Sequence, residues 1–225
     1  MVPGARLVIL GKQGAGKGTQ CLRLARHYVV PHVSTGDMFR AAVKSGSEFG
    51  RRAEEYMRAG ELIPDNVVIG VVRERLGQDD TIRRGFILDG YPRTVKQAEQ
   101  LSELLAPDDI DLAVDIEVPT EAVLRRLASR RVCVDCGKNY SVDNPPRFDW
   151  SCDNCGGEVV QREDDTEAAI MRRLQLYEQA TSPLIEWYLE RDKLVEVDGL
   201  GHPDDVTRRL VRAIDRRLGT APRHN

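Results

Sequence analysis

The segment from Ala5 to Thr19 constrains the fold more than any other stretch of this 225-residue chain. An apolar run, ARLVIL (5–10), is followed by the glycine-rich sequence GKQGAGKGT (11–19) and then by helix-forming residues. Glycines in such a turn let the backbone curl until its N–H groups point inward, at the start of a helix whose dipole favours negative charge. The segment therefore predicts a buried strand, a phosphate-binding loop and a helix.

This loop departs from the usual phosphate-loop pattern at one position. The pattern G-x-x-x-x-G-K-[ST] is met from Gly11 to Lys17, but Gly18 stands where a hydroxyl residue belongs, and Thr19 follows one place later. We expect Lys17 to reach the outer phosphates of a nucleotide. The missing hydroxyl argues against a typical signalling GTPase or motor ATPase. The alternative is a glycine-rich turn with a solvated lysine, and the strand and helix on either side favour phosphate binding.

The rest of the chain alternates between strand-like and helix-like segments. Four more short runs, at 32–35, 86–89, 112–118 and 193–197, read as strands, and segments at 21–28, 39–43, 67–76 and 121–130 have helical spacing between them. Near the end, Val206, Leu210, Ile214 and Leu218 recur every four residues, which predicts an amphipathic helix. Alternation of this kind predicts βαβ units and a parallel sheet.

Composition and charge exclude several classes of function. The chain has 33 basic and 36 acidic residues, a net charge of −3 and a pI near 5.9, whereas nucleic-acid binders usually carry a strong basic excess. No apolar run approaches the ~18 residues of a membrane span, and the N-terminus lacks the long apolar region of a signal peptide. We therefore expect a cytoplasmic protein without nucleic-acid or membrane partners. In that reducing compartment, clustered cysteines indicate metal or redox chemistry rather than disulfides.

Four of the five cysteines fall in one polar segment, VCVDCGKNYSVDNPPRFDWSCDNC (132–155). They form two Cys-x-x-Cys pairs, Cys133/Cys136 and Cys152/Cys155, separated by 15 residues. Four thiolates with no open position are typical of a structural zinc site, which we expect to replace a hydrophobic core in this insert. Two disulfides or four free thiols are the alternatives, and iron or cobalt would also suit sulfur ligands. The fifth, Cys21, is expected to be a small buried apolar residue.

Three motifs together resemble a known family. GAGKGT (14–19), STGDMFR (34–40) and LDGYPRT (88–94), in this order and spacing, resemble the signature blocks of the adenylate kinases, which are nucleoside monophosphate kinases. The resemblance runs from Leu7 to at least Gly201. It implies an α/β fold of the P-loop NTPase type, a parallel five-stranded sheet with helices on both faces, a small helical insert that binds the nucleoside monophosphate, and a zinc-tied lid.

The resemblance also implies a division of the chain and an activity. A core domain would comprise residues 1–33, 64–128 and 166–225, with an AMP-binding lobe at 34–63 and a zinc-binding lid at 129–165. The implied activity is reversible, Mg²⁺-dependent phosphoryl transfer from ATP to AMP, giving two ADP, by a protein that acts as a monomer. Asp164 and Asp165 resemble the paired aspartates at the family's lid hinge.

Phosphoryl transfer without a covalent intermediate requires cations that neutralise and align phosphates, and arginine does so with two parallel hydrogen bonds. By resemblance, the catalytic residues are Lys17, Arg93, Arg130, Arg162 and Arg173. The ATP site comprises Gly14, Ala15, Gly16, Lys17, Gly18, Thr19, Arg126, Arg130, Asn139, Tyr140 and Gly201. The AMP site comprises Thr35, Arg40, Glu61, Leu62, Ile63, Gly90, Tyr91, Pro92, Arg93, Gln97, Arg162 and Arg173. Asp89 would hold magnesium through water, and Cys133, Cys136, Cys152 and Cys155 would hold zinc.

Two alternative functions remain open at this stage. The first is a kinase for another nucleoside monophosphate, although Gln97 together with Thr35 favours AMP. The second is a zinc-ribbon interaction module on an inactive P-loop domain. Against it, Lys138 and Arg147 are the only basic residues between the outermost cysteines, too few to bind a nucleic-acid backbone. Lys12 and Gln13 stand where the family usually has a small residue and proline.

Overall fold

A computed structural model describes residues 4–46, 48–162 and 164–219 of the chain. The outermost parts of the predicted core domain, 1–3 and 220–225, lie outside the described residues, as do Ser47 of the predicted AMP lobe and Glu163 of the predicted lid. The strands are β1 Arg6–Leu10, β2 His32–Ser34, β3 Phe86–Asp89, β4 Leu112–Glu117, β5 Arg130–Cys133, β6 Asn139–Ser141, β7 Val159–Val160 and β8 Leu194–Asp198.

Five of these strands form one parallel sheet in the order β2-β3-β1-β4-β8. The β1 strand lies at its centre, where Ile9 pairs with Asp89 of β3 and with Val114 of β4. Strands covered on both faces read as continuous apolar runs, as β1 and β4 do here. The predicted parallel five-stranded sheet is confirmed, and its carboxyl ends bring the loop after β1 next to the loop after β3.

Ten helices in the described part of the chain surround the sheet. They are α1 Lys17–Tyr28, α2 Thr35–Lys44, α3 Glu48–Ala59, α4 Asp65–Leu76, α5 Asp79–Arg84, α6 Val95–Leu105, α7 Thr120–Ser129, α8 Glu167–Leu176, α9 Pro183–Leu189 and α10 Pro203–Leu218. A π-helical turn, Tyr177–Thr181, connects α8 to α9. Among the described residues, no helix is both long enough and apolar enough to cross a membrane.

The hydrophobic core consists of two apolar clusters. One contains Leu24 of α1, Leu127 of α7 and the predicted core positions of α10, of which Leu210 and Ile214 are fully buried. The other gathers side chains of α4, α6 and α9. Side chains of β1 alternate between the two clusters, with Leu7 and Ile9 in the first and Val8 and Leu10 in the second. Helices therefore cover both faces, and the sheet is held rigidly below the loops at its carboxyl edge.

Two insertions extend from this core. Along the chain, helices α2 and α3 follow β2 and come before β3, and a small antiparallel sheet in the order β6-β5-β7 follows α7. The apolar centre of the small sheet consists of four buried residues, Cys133, Tyr140, Cys152 and Val159. Because two of these are candidate metal ligands, the insertion has little else to fold around.

Candidate active site

The phosphate loop connects β1 to α1 at the carboxyl edge of the sheet. Gly11, Gly14 and Gly16 have positive φ angles of 130°, 84° and 102°. A Cβ atom at Gly11 would lie 2.8 Å from the carbonyl oxygen of Ile116, so only glycine fits there without a shift of the backbone. The loop therefore curls tightly over β4, and Lys17, Gly18 and Thr19 form the first turn of α1.

The Lys17 side chain turns back into this loop. Its Nζ donates to the carbonyl oxygens of Gly11 and Lys12, at 2.6 and 2.9 Å. Burial lowers the pKa of Lys17 below its ordinary value, and the negative charge of Asp89 acts in the opposite direction. In this position the ammonium group lies where phosphate oxygens would enter the curled loop.

Asp89 ends β3 beside the loop, and Gly18 faces its carboxylate. A Cβ atom at Gly18 would lie 3.6 Å from Asp89 Oδ2, so the residue that lacks the usual hydroxyl abuts a carboxylate instead. Burial by itself would raise the pKa of Asp89, but His32, Lys17 and Arg93 together lower it below its ordinary value. An ionised carboxylate in this position is a suitable oxygen ligand for magnesium or for its bound water.

A second group of predicted residues lies along β2, α2 and the segment after β3. Thr35 Oγ1 donates to the Gly90 carbonyl at 3.0 Å, and Arg40 forms an ion pair with Asp37 on the same helix. Arg93 Nε donates to the same Gly90 carbonyl at 2.9 Å. Between them, the buried Tyr91 donates from its hydroxyl to the Gln97 carbonyl at 3.1 Å, and Pro92 follows through a cis peptide bond.

The Gln97 side chain is fixed at both ends of its amide. Its Oε1 accepts from the Arg93 backbone N–H at 2.8 Å, and its Nε2 donates to Asp65 Oδ1 at 2.6 Å. The residue is almost fully buried at the start of α6. One N–H and one lone pair of the amide stay available, which is what recognition of a base edge requires.

The segment between α3 and α4 carries the remaining predicted AMP-site residues. Glu61 accepts from Arg172 Nε on α8 at 2.7 Å, which ties this segment to the core. Leu62 is half-buried, and the partly buried Ile63 packs against the second apolar cluster. These residues therefore lie at the junction of the helical insertion and the sheet domain.

Three of the predicted arginines converge on two adjacent aspartates. Arg130 Nε donates to Asp165 at 2.7 Å, Arg162 Nε donates to Asp164 at 2.8 Å, and Arg173 donates to Asp164 from another side at 2.8 Å. The Asp165 side chain is fully buried. Burial opposes ionisation of Asp164, but Arg162 and Arg173 hold its pKa far below the ordinary value. Asp164 is therefore a negatively charged partner of Arg162 and Arg173 in the nucleotide-free protein, and Asp165 pairs with Arg130 beside it.

Positive charge is in excess around this pair. Burial lowers the pKa of Arg93, and the charges of Arg173 and Arg40 add to that effect. Burial also lowers the pKa of Arg130, to which Arg162 contributes. Mutual repulsion between buried guanidinium groups is relieved when a polyanion binds among them, so the arrangement suits phosphate groups.

The adenine end of the predicted ATP site is defined by α7 and by the turn after β8. Arg126 donates to the Ala15 carbonyl of the phosphate loop and to the Gly199 carbonyl, both at 3.0 Å. Gly201 has a positive φ of 99° in the same turn. The arginine thus connects the phosphate loop to the loop in which Gly201 lies.

The two predicted ATP-site residues of the lid differ in position. Asn139 is exposed at the start of β6, whereas the ring of Tyr140 lies in the interior of the small sheet. The Tyr140 hydroxyl donates to Cys152 Sγ at 3.4 Å and accepts from the Asp153 N–H at 2.8 Å. Contact between Tyr140 and a nucleotide would therefore come from its backbone, since the side chain supports the cysteine cluster.

The four lid cysteines form one cluster of sulfur atoms. Cys133 and Cys155 are 3.5 Å apart, Cys136 and Cys152 are also 3.5 Å apart, and all four Sγ atoms lie within 4.8 Å of one another. Four sulfurs around zinc at its usual bond length are separated by roughly 3.8 Å, so the cluster fits a tetrahedral zinc ion. Burial opposes ionisation of Cys152, but hydrogen bonds from Tyr140 and Asn154 lower its pKa to about 6. The donor set is the one expected from the sequence.

Three contacts of the site were not anticipated from the sequence. With its amide oxygen turned towards the guanidinium groups, Gln13 accepts from Arg130 at 3.2 Å and from Arg173 at 2.8 Å. Lys12 pairs with Glu178 of the π-helical turn at 3.1 Å. Asp65 orients Gln97, as described above. Only Gln13 and Lys12 had a signal in the sequence, because both are unusual residue types at their positions in the phosphate loop.

Such a density of buried positive charge, beside a phosphate loop on a parallel α/β sheet, places the chain in the class of P-loop proteins that act on nucleotide phosphates. Comparison with known proteins identifies the family, since the pattern of the Adenylate kinase family matches residues 9–193. The chain belongs to the adenylate kinase family, in agreement with the three sequence motifs.

Several curated relatives match over almost their whole length. The adenylate kinase of Moorella thermoacetica is 49% identical over 217 residues, which cover 95% of this chain and 98% of that protein. The adenylate kinase of Acetivibrio thermocellus is 46% identical and covers 93% of this chain and 97% of its own length. The adenylate kinase of Archaeoglobus fulgidus is also 46% identical, with 93% of this chain and 98% of that protein covered.

Proposed function

We propose that this protein catalyses the reversible, Mg²⁺-dependent transfer of a phosphoryl group from ATP to AMP, giving two ADP. The observation that carries the proposal is the convergence of Arg130, Arg162 and Arg173 on one buried point near Lys17 and Arg93. Two nucleotides meeting phosphate to phosphate need such a cluster, because their charges repel each other strongly. Membership of the adenylate kinase family supports the same conclusion.

On the donor side, the phosphate loop holds the ATP phosphates. We expect backbone N–H groups of the loop from Gly14 to Thr19 to bind these phosphates. Lys17, whose Nζ donates to the Gly11 and Lys12 carbonyls, exchanges those two partners for phosphate oxygens. Arg126 and the Gly201 backbone bound the adenine pocket, and Asn139 with the Tyr140 backbone closes over it from the lid. Asp89 would hold magnesium through water, in place of the hydroxyl missing at Gly18. Magnesium, when bound, offsets charge on the ATP phosphates.

On the acceptor side, the residues of α2, α4 and α6 receive AMP. Thr35 and Gln97 lie at the adenine, and Arg40 and Arg93 hold the phosphate. The segment from Glu61 to Ile63 and the backbone from Gly90 to Pro92 line the pocket. Gln97 specifies adenine because Arg93 and Asp65 fix its amide in one orientation.

The chemical step is a direct displacement. An oxygen of the AMP phosphate forms a bond to the terminal phosphorus of ATP while the bond from that phosphorus to the bridging oxygen breaks, and the released group is ADP. The attacking oxygen is already anionic at neutral pH, so no general base is required. Arg130, Arg162 and Arg173 stabilise the negative charge as it shifts between the two nucleotides. This stabilisation requires that closure of the lid expels water from the site.

The division of labour within the chain is part of the proposal. Residues 1–33, 64–128 and 166–225 form the core, 34–63 the AMP lobe and 129–165 the lid. The four lid cysteines would hold a structural zinc ion, which would tie the lid together so that it closes as one body. We propose a cytoplasmic location, which the four unpaired lid cysteines support because clustered thiols suit a reducing compartment. We expect a monomer, since one chain supplies both nucleotide sites.

An acceptor panel tests the proposal. Purified zinc-loaded protein is mixed with MgATP and one of AMP, GMP, CMP or UMP, and ADP formation is followed. Turnover with AMP alone supports the proposal. Preference for another acceptor overturns the interpretation that Gln97 and Thr35 select AMP, and indicates a kinase for another nucleoside monophosphate. An absence of turnover with all four overturns the enzymatic proposal in favour of a zinc-ribbon interaction module.

A further inference from the structure

A cysteine, a histidine and an aspartate lie together beside the phosphate loop, at a distance in sequence from the lid cysteines. Cys21 belongs to α1, His32 begins β2 and Asp89 ends β3. One ligand atom from each, Sγ, an imidazole nitrogen and a carboxylate oxygen, lies within 4.8 Å of the other two. We propose that these three residues bind a divalent transition-metal ion of the zinc class, and that an ion bound there inhibits the enzyme by occupying Asp89.

The geometry suits a zinc-sized ion. His32 Nε2 lies 3.5 Å from Asp89 Oδ2, in an orientation that forms no hydrogen bond. A nitrogen and an oxygen bound tetrahedrally to the same zinc ion are separated by roughly 3.4 Å, given the usual bond lengths. The Cys21 sulfur lies within 4.8 Å of both atoms, so it would move closer to them on sharing the same ion. Three protein ligands leave a fourth position for water.

The His32 imidazole has Asp89 as its ion-pair partner but forms no well-aligned hydrogen bond with it. Its Nε2 is buried and makes no hydrogen bond to any described residue, and leaving such an atom unpaired in the interior is unfavourable. A metal ion at the centre of the three residues would satisfy this nitrogen. The neighbouring Cys21 is fully buried and Asp89 is largely buried, so bulk water competes weakly for the same position.

The donor set determines which ions the site accepts. Sulfur and imidazole nitrogen favour zinc, cobalt or copper, whereas magnesium prefers oxygen ligands. The site therefore selects an ion other than the one that accompanies ATP. As the ion binds, the Cys21 thiol releases its proton to solvent. An ion held in this way takes up the carboxylate that the proposed function gives to magnesium, so inhibition rests on that proposed function, whereas binding does not.

Metal binding without nucleotide is the primary test. Protein with its lid site filled by zinc is titrated with Zn²⁺ by calorimetry, alongside the Cys21→Ala variant, which keeps the lid unchanged. We expect one additional ion per chain in the wild type and none in the variant. We expect His32→Gln to weaken this second site by about tenfold to a hundredfold. Equal numbers of ions bound by wild type and Cys21→Ala would overturn the proposal, as would the absence of a second ion.

Cobalt provides an independent readout of the ligands. Because Cys21 is the only cysteine outside the lid, a thiolate-to-cobalt absorption band that appears in the wild type but not in Cys21→Ala must come from this site. A band of equal intensity in both proteins would report exchange into the lid and would count against the proposal.

Inhibition is measured separately at the same free Zn²⁺ concentration in both proteins. Wild-type turnover is expected to fall at Zn²⁺ concentrations at least about tenfold below those that affect Cys21→Ala. Equal sensitivity of the two proteins, with the second ion bound only by the wild type, would refute the inhibitory part alone. Because the binding measurements contain no nucleotide, their outcome is independent of whether the protein turns over AMP.

Discussion

At the scale of single residues, Gln97 is the most specific element of the proposed acceptor site. Its buried amide is held by the Arg93 backbone and by Asp65. We expect Gln97→Ala to raise the KM for AMP by about tenfold to a hundredfold, because one or two hydrogen bonds to the base are lost. Steady-state kinetics with AMP varied at saturating MgATP measure the effect.

Gln100, one turn further along α6, provides a matched control. Its side chain lines a surface cavity between Ile69 and Leu104, away from the arginine cluster. Gln100→Ala should leave the KM for AMP unchanged. If the two variants had the same KM, Gln97 would be excluded as a determinant of the acceptor.

Asp115 makes stability depend on pH in the direction opposite to most carboxylates. It is buried within β4, where burial, followed by the charges of Glu117 and Glu196, raises its pKa to about 6. In the unfolded state Asp115 has the ordinary carboxyl pKa of about 4. Between pH 4 and pH 6, the native state therefore binds roughly one more proton at Asp115 than the unfolded state does. The contribution of Asp115 to the free energy of unfolding therefore falls as the pH rises through that window. Above it, the free energy of unfolding is lower by roughly 2 to 3 kcal/mol.

Asp115→Asn tests this directly. We expect the variant to be more stable than the wild type at pH 7.5 and nearly equal to it at pH 4, as measured by urea unfolding at both values. Tyr177 can still donate to an amide oxygen at this position, as it does to Asp115 at 3.4 Å. The same substitution at the exposed Asp143 of the lid should have no pH-dependent effect. Equal destabilisation of Asp115→Asn at both pH values would show that its charge is not the cause.

Sequence could identify residues whose type is dictated by their chemistry, and it failed where a role depends on distant contacts. The glycines of the phosphate loop and the four lid cysteines can be recognised from their spacing in the sequence. The roles of Gln13 and Asp65 cannot be recognised in this way, because they act on Arg130, Arg173 and Gln97 across a fold that must first be known. Gln13 stands out in the sequence only as an unusual residue type, and Asp65 looks like an ordinary surface residue until its partner is visible.

At the scale of elements, the strands were the most predictable part of the fold. Each of the five strands of the parallel sheet begins and ends within one residue of its predicted bounds, because a strand buried on both faces must be an uninterrupted apolar run. The π-helical turn at Tyr177–Thr181 has no comparable sequence pattern. It depends on tertiary contacts, among them that of Lys12 with Glu178.

The lid is the element whose stability depends on metal. Its apolar interior consists of two cysteines, one tyrosine and one valine, which is too little to fold around without the ion. We expect removal of zinc by a chelator to abolish protection of the lid backbone, from Arg130 to Val160, in hydrogen exchange. Protection of β1, β3 and β4 should persist, since their apolar clusters contain no metal ligand.

ATP binding gives the control for this experiment. The phosphate loop lies in the core, so the zinc-free protein should still bind ATP, with an affinity reduced only by the missing lid contacts. Cooperative loss of protection throughout the sheet on chelation would contradict a separately folding lid. Restoration of lid protection on return of zinc would show that the effect is reversible metal binding.

At the scale of the whole molecule, an acidic chain concentrates positive charge at one place. The net charge is −3, yet the loop after β1, the start of α6, the lid and α8 all direct cations to the same region. Asp164 and Asp165 hold these cations together in the absence of nucleotide. In the proposed function, phosphate groups and the two aspartates compete for the same guanidinium groups, so a nucleotide has to displace the carboxylates when it binds.

Removing the charge of one of these aspartates should lower the stability of the nucleotide-free protein and increase the stabilisation that a ligand provides. Asp164→Asn keeps the side-chain shape but removes the charge that pairs with Arg162 and Arg173, and breaking a largely buried ion pair lowers the free energy of unfolding by about 3 kcal/mol. For a chain of this size the melting temperature of the nucleotide-free protein should fall by on the order of 5 to 10 °C.

The increase of that melting temperature on addition of ATP or inorganic phosphate should be larger in Asp164→Asn than in the wild type, because the ligand no longer displaces a competing carboxylate. Asp205→Asn, which removes an exposed partner of Arg208 on α10, is the control and should change neither quantity. Scanning calorimetry across a ligand titration measures both. A smaller ligand-induced shift in Asp164→Asn would mean that the aspartate positions the arginines for phosphate, and that the two do not compete.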